Sequence, residues 1–113
     1  MNRRQVGAEY ESKAARYLTD QGYQILVRNF YSRAGEIDLI AEKNGCLVFI
    51  EVKYRKNAAY GLPEESVSMT KRQRMRKTAA YYMHQNGLRP DRELRFDVIV
   101  FEGENIRHHR NAF

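Results

Sequence analysis

Residues Gly35 to Arg55, GEIDLIAEKNGCLVFIEVKYR, set an Asn44-Gly45 pair between two runs rich in Ile, Leu, Val and Phe. Asn-Gly is the dipeptide that best tolerates the two positive φ angles of a type I′ turn, so the runs read as an antiparallel hairpin. That turn also fixes the register. Lys43 faces Cys46, and counting back places Asp38 opposite Glu51. Side chains alternate between faces along a strand, so Glu36, Asp38, Glu51 and Lys53 project from one side, with Ile40, Leu47 and Phe49 nearer the turn. Ile37, Leu39, Val48, Ile50 and Val52 project from the other. The charges begin where the apolar part of that first face stops, so it is not a simple wet surface.

The rest of the chain supplies elements around this hairpin. Val6, Tyr10, Ala14, Tyr17 and Leu18 recur at helical spacing, and Gly22 is a suitable stop, so a helix is expected over residues 6 to 21. Residues 23 to 30, YQILVRNF, read as a strand followed by a Ser32 to Gly35 loop. Residues 58 to 65, AAYGLPEE, read as a loop. A helix follows from about Ser68 to Gln85 with Met75, Ala79, Tyr82 and Met83 inward. Residues 94 to 101, LRFDVIVF, form another strand, with a short terminal strand through Ile106 after a turn. The expected order is α-β-β-β-α-β-(β). The 113 residues, 42% hydrophobic and 30% charged, suffice for one domain with one core.

Two carboxylates directly opposed across a hairpin, with Cβ atoms about 5 Å apart, repel by roughly 3 kcal/mol at an effective dielectric near 20. Lys53 offsets one of the two charges. A divalent cation would remove the excess, and an all-oxygen site suits Mg²⁺ or Mn²⁺, whereas structural zinc wants Cys and His ligands that are missing here. The single Cys46 has no partner for a disulfide or a thiolate site. Such a cation polarises a phosphoryl oxygen while a lysine stabilises the charge that develops, which is phosphodiester hydrolysis.

The charge balance points the same way. Lys and Arg number 20 against 14 Asp and Glu, a formal net charge of +6. Lys71, Arg72, Arg74, Arg76 and Lys77 crowd the second helix, with the first three in its N-terminal half, where the helix dipole disfavours cations. Bound phosphates would relieve that mismatch.

The motifs GEIDLIA, VFIEVKYR, RFDVIVF and the terminal NAF, taken in order, resemble the YraN family of bacterial proteins, which is itself similar to PD-(D/E)xK nucleases. The resemblance runs from Gly7-Ala8-Glu9 to Phe113. It implies an α/β fold with a restriction-endonuclease-like αβββαβ core, a mixed sheet flanked by helices. It also implies that Asp38 and Glu51 hold the metal with the backbone carbonyl of Val52, that Lys53 is catalytic, and that Glu9 matches the first-helix carboxylate of archaeal Holliday-junction resolvases. Ile37 stands where the motif's proline would, and proline is no ligand. The second helix lacks the Gln-x-x-x-Tyr pattern of RecB-type nucleases, so exonuclease-like substrate handling is not implied.

Each of these residues has a plainer reading. Asp38, Glu51 and Lys53 can form a solvated salt-bridge patch, Glu9 can pair with Lys13 at i+4, and the basic run can be an ordinary wet helix face. Asp97 is read as a structural ion pair with Arg95, and His108 and His109 as surface residues. Two functions stand at this level: a Mg²⁺- or Mn²⁺-dependent endonuclease, structure-selective in the manner of a resolvase, or a non-catalytic nucleic-acid-binding module that keeps a nuclease fold inside a larger complex. The expected partner is nucleic acid, DNA in preference to RNA, with no membrane association and a homodimer allowed. No apolar run of membrane-spanning length and no leader-like stretch is seen, so the expected location is cytoplasmic.

Overall fold

The computed structural model of the chain describes residues 3–55 and 67–113, and the expected loop over 58–65 lies outside them. The elements run α1 (Arg3–Asp20), β1 (Gln24–Ser32), β2 (Gly35–Lys43), β3 (Cys46–Arg55), α2 (Met69–Gln85), β4 (Leu94–Glu102) and β5 (Asn105–His109). Local chemistry sets their ends. The Tyr23 amide bonds the Leu18 carbonyl at 2.9 Å past Gly22, whose φ of +94° closes α1. The Ser68 hydroxyl accepts the Lys71 amide at 3.1 Å and caps α2. Asn44 and Gly45 take φ of 51° and 80°, as a type I′ turn requires.

The five strands form one mixed sheet in sequential order, β1-β2-β3-β4-β5. β3 is antiparallel to β2 and parallel to β4. A parallel pair needs a crossover, and α2 belongs to it. The β2–β3 register pairs Lys43 with Cys46 and continues to Leu39 with Ile50. Along β1 the register slips between Ile25 and Val27, and Asn29 adopts a positive φ of 54°.

Each face of the sheet carries one helix. Ala14 and Leu18 of α1 pack on Leu39, Ala41, Val48 and Ile50 with Ile99 and Phe101. Met75, Ala79, Tyr82 and Met83 of α2 pack on Ile40, Leu47, Phe49 and Phe96. One residue departs from the strict alternation expected in β2. Ile37 lies in the α2 cluster rather than beside Leu39 and Ile50. Its paired neighbour is Phe30 of β1, which edges against Tyr82 of α2. Beyond the last β2–β3 backbone pair, β2 therefore follows β1 and turns Ile37 under α2.

Phe49 has no exposed surface and touches both Phe96, with ring centroids 5.5 Å apart, and Tyr82, at 6.1 Å. Truncating it removes a fully buried ring from the middle of the α2 face. Phe49→Ala is expected to lower unfolding stability by roughly 3–5 kcal/mol, whereas the exposed Leu26→Ala costs under about 1 kcal/mol. Urea denaturation of both variants checks the contrast.

Candidate active site

Where the β2–β3 ladder stops, a side chain takes over from the backbone. The Val52 amide donates to Asp38 Oδ2 at 2.8 Å. This bond holds the Asp38 carboxyl beside β3 where the last backbone pair, Leu39 with Ile50, ends, and Glu51, the next residue of β3, acts on it as a like charge. Glu51 is 5% exposed, and Lys53 Nζ lies 3.9 Å from its Oε1. Asp38, Glu51 and Lys53 thus come together at one end of the α2 face.

α2 adds a residue that the sequence reading assigned to a different task. Lys71 Nζ is bonded to Glu51 Oε1. The capped first turn of α2 aims this ammonium at the sheet, and the mismatch between Lys71 and the helix dipole is met inside the chain by a carboxylate. The other basic residues of α2 divide. Arg72 donates to the Val67 carbonyl at 2.9 Å, and Arg72 and Arg76 both lie over the Phe113 ring with guanidinium carbons 5.4 Å from its centroid. Arg74 and Lys77 are exposed.

The electrostatics follow from burial. Asp38 is pushed up to about 7, first by burial and then by the Glu51 charge, against the pull of the Val52 amide and Lys71. Lys53 is pushed down, chiefly by burial and by the like charge of Lys71. Lys71 moves up. Burial opposes its charge, but the bond to Glu51 outweighs that cost. The site therefore favours a protonated Asp38 beside an ion-paired Glu51.

The first helix contributes a different acid from the one expected. Glu9 is half exposed and sits 3.6 Å from Lys13, as its plainer reading has it. The α1 acid whose charge bears on Asp38 most is Glu11. Among the described residues Glu11 Oε1 is buried with no hydrogen-bond partner of its own, and burial raises the group's pKa, opposed by a side-chain hydrogen bond from Asn29 and the charge of Arg28 and reinforced by the repulsion of Glu36 and Glu51. The sequence held a signal for this. Glu11 precedes Ala14 and Leu18 by three and seven residues, which puts it on the buried face of α1.

Asp97 and the histidines resolve separately. Asp97 is fully buried, bonded to Arg95 Nε at 3.0 Å, to the Asn111 amide at 2.9 Å and to His108 Nε2 at 2.7 Å. His108 is not a surface residue. Its imidazole is buried, with Nδ1 3.1 Å from the Tyr17 hydroxyl, because β5 turns that side chain inward against α1. Desolvation alone would raise Asp97, but the bonds from His108, Arg95 and Asn111 outweigh it and hold the carboxyl below its ordinary range. The ion pair with Arg95 is structural, and it lies on the α1 side of the sheet with Tyr17 and Tyr23.

Among the described residues no three His, Cys, Asp or Glu side chains form a ready-made metal-holding group, and no helix is long and apolar enough to cross a membrane. The sequence model of the family described as "Uncharacterised protein family UPF0102" matches residues 10–101. A UPF0102 protein of Lachnoclostridium phytofermentans is 50% identical over 113 residues, covering 100% of this chain and 96% of the relative. One of Persephonella marina is 46% identical over 107 residues, 95% of this chain and 91% of the relative. One of Cytophaga hutchinsonii is 43% identical over 105 residues, 93% and 91%.

Asp38 gives the site a pH signature. Its folded pKa of about 7 exceeds the unfolded value near 4, so between those values the folded state holds a proton that the unfolded state releases. Stability from this group is fully present below about pH 4 and is lost as pH rises through about 7, by at most about 1.4 kcal/mol per unit. Asp97 has the opposite sign, its contribution falling away in acid. Asp38→Asn keeps an oxygen for the Val52 amide and cannot titrate. Chemical denaturation at mildly acidic and mildly basic pH should show the wild type losing stability relative to Asp38→Asn as pH rises; parallel profiles would refute a raised Asp38.

Proposed function

From the premise that the chain belongs to the UPF0102 family, we propose that it hydrolyses phosphodiester bonds in nucleic acid with Mg²⁺ or Mn²⁺, on a restriction-endonuclease-like core. One observation carries this reading: a partly buried Asp38 carboxyl raised to about 7 beside the buried Glu51 and the half-buried Lys53, all where the β2–β3 pairing ends. Strongly perturbed acids grouped with a depressed lysine mark functional sites more often than structural ones. The mixed sheet with one helix on each face is compatible with the αβββαβ order of that core.

The donor chemistry fits a hard cation. Asp38 and Glu51 offer carboxylate oxygens, Val52 a backbone carbonyl, and Glu11 Oε1, with no hydrogen-bond partner among the described residues, is the kind of buried acceptor that a cation and its waters satisfy. When bound, the ion would polarise the phosphoryl group and lower the pKa of an attacking water. The chain's own residues do the rest. Asp38 must release its proton before it can act as a ligand, so the site opens towards neutral and basic pH. Lys53, held close to Glu51, offers an ammonium to charge developing on the phosphate oxygens. Lys71 engages Glu51 Oε1, so its charge competes with a cation at this carboxylate, and a substrate phosphate is a natural acceptor for that ammonium if it moves away.

The Lys71–Glu51 pair is also what favours a second reading, a nucleic-acid-binding module in which lysine has taken the place of metal. The two readings part on measurable ground. In the nuclease reading, Mn²⁺ raises the melting temperature more at pH 8 than at pH 6, because metal and proton compete for Asp38. Lys71→Met then tightens Mn²⁺ binding in calorimetry. Lys53→Met lowers cleavage of duplex, flap or four-way substrates by roughly a hundredfold or more while binding is nearly unchanged. Tight binding without cleavage in either metal, and no Mn²⁺ heat in wild type or Lys71→Met, would favour the module.

A further inference from the structure

The outer ridge of α2 leads away from this site. Arg74 and Tyr81, seven residues apart, lie on one exposed side of α2 with Lys77 beside them, and the buried Thr78 beneath them anchors that side to the sheet. This side lies along the hairpin end of the sheet. A Cβ on Gly35 would sit 3.5 Å from Arg74 Cβ, the Ser32 and Thr78 hydroxyls are 3.2 Å apart, and the Tyr81 ring lies 6.2 Å from Phe30. Lys71 ties the start of this ridge to Glu51. At its far end Tyr81 is 49% exposed, its ring resting on Phe30 at an interplanar angle of 36°.

Charge completes the pattern. Arg74 and Lys77 are exposed, and neither has an acidic partner among the described residues. With 1.5 Å of rise per residue, Arg74 stands about 4.5 Å, Lys77 about 9 Å and Tyr81 about 15 Å along the axis from Lys71. At the 3.4 Å rise of a stacked strand, that length spans roughly four nucleotides. Two exposed cations followed by an exposed ring supported from beneath are the two components of a single-strand track, one for backbone phosphates and one for a base face. A duplex satisfies the cations equally well, but its paired bases cannot reach the ring.

We propose that this ridge binds a single-stranded segment of nucleic acid, with phosphates on Arg74 and Lys77 and a base stacked on Tyr81, about four nucleotides from the site. The inference rests on the reading of that site as one that acts on phosphodiesters, and it narrows the substrate class to nucleic acid with an unpaired arm. The occupant is identified by the combination of charge and ring. An acidic protein segment would use the cations and leave Tyr81 idle.

Fluorescence anisotropy in EDTA, with labelled oligothymidine, oligouridine and a blunt duplex of equal length, tests the ridge without requiring cleavage. Tyr81→Ala should weaken binding of oligothymidine or oligouridine about tenfold or more and leave the duplex unchanged, and Tyr81→Phe should retain wild-type affinity. Arg74→Ala with Lys77→Ala should weaken all three probes and reduce the salt dependence by about two. Melting temperatures of the variants separate lost folding from lost binding. Equal single-strand affinities for wild type and Tyr81→Ala, or equal losses on single strand and duplex, would overturn the proposal. A protein that shows the Tyr81 effect but cleaves nothing would keep the ridge and overturn the hydrolytic reading; one that cleaves with no Tyr81 effect would do the reverse.

Discussion

The Asp38–Val52 hydrogen bond is the point at which this structure changes from scaffold to site. β3 is satisfied on both sides along most of its length, antiparallel to β2 and parallel to β4. An amide at that depth cannot be left without a partner, because an unmet buried donor costs about 1–3 kcal/mol. A continued ladder would have offered a backbone carbonyl. Asp38 offers a carboxylate oxygen instead, and the two strands are then free to diverge while the amide stays bonded. The divergence makes room for Glu51, Lys53 and the tip of Lys71, and it leaves Ile37 to follow β1 under α2. Stability and chemistry therefore share one bond.

Most of the architecture was legible because its signals are local. Asn44-Gly45 encodes both the turn and the register, and the Gly22 and Ser68 ends encode two helix boundaries. The inward residues of α2 were readable from their 3.6-residue period. Ile37 was not. Alternation assumes a straight strand, and the assumption fails where pairing on one side ends. His108 was missed for a related reason. Its burial depends on Tyr17 and Asp97, which lie 91 and 11 residues away and meet it only once β5 has folded back on β4.

The site was legible in part. The hairpin register brought Asp38, Glu51 and Lys53 to one end of the sheet, although the backbone pairing itself ends one residue short, at Leu39 and Ile50. The helical partners were not readable, because a sequence shows that a residue is basic or acidic without showing what it faces. Lys71 reads as one of five similar cations, yet only the cap at Ser68 and the packing of α2 on the sheet turn it onto Glu51. On α1, counting from Ala14 and Leu18 separates the half-buried Glu11 from the exposed Glu9, which the motif comparison had favoured.

The two borders of the sheet have a consequence of their own. On β1 the register slip at Leu26 and the left-handed Asn29 interrupt the run of outward-pointing backbone groups. On β5 the border is only five residues long, and Asn105, Ile106 and Arg107 are exposed. A neighbouring chain that tried to add a strand would meet a kinked template on one side and a short, cationic one on the other. Both margins of the sheet thus offer a poor template for edge-to-edge strand addition.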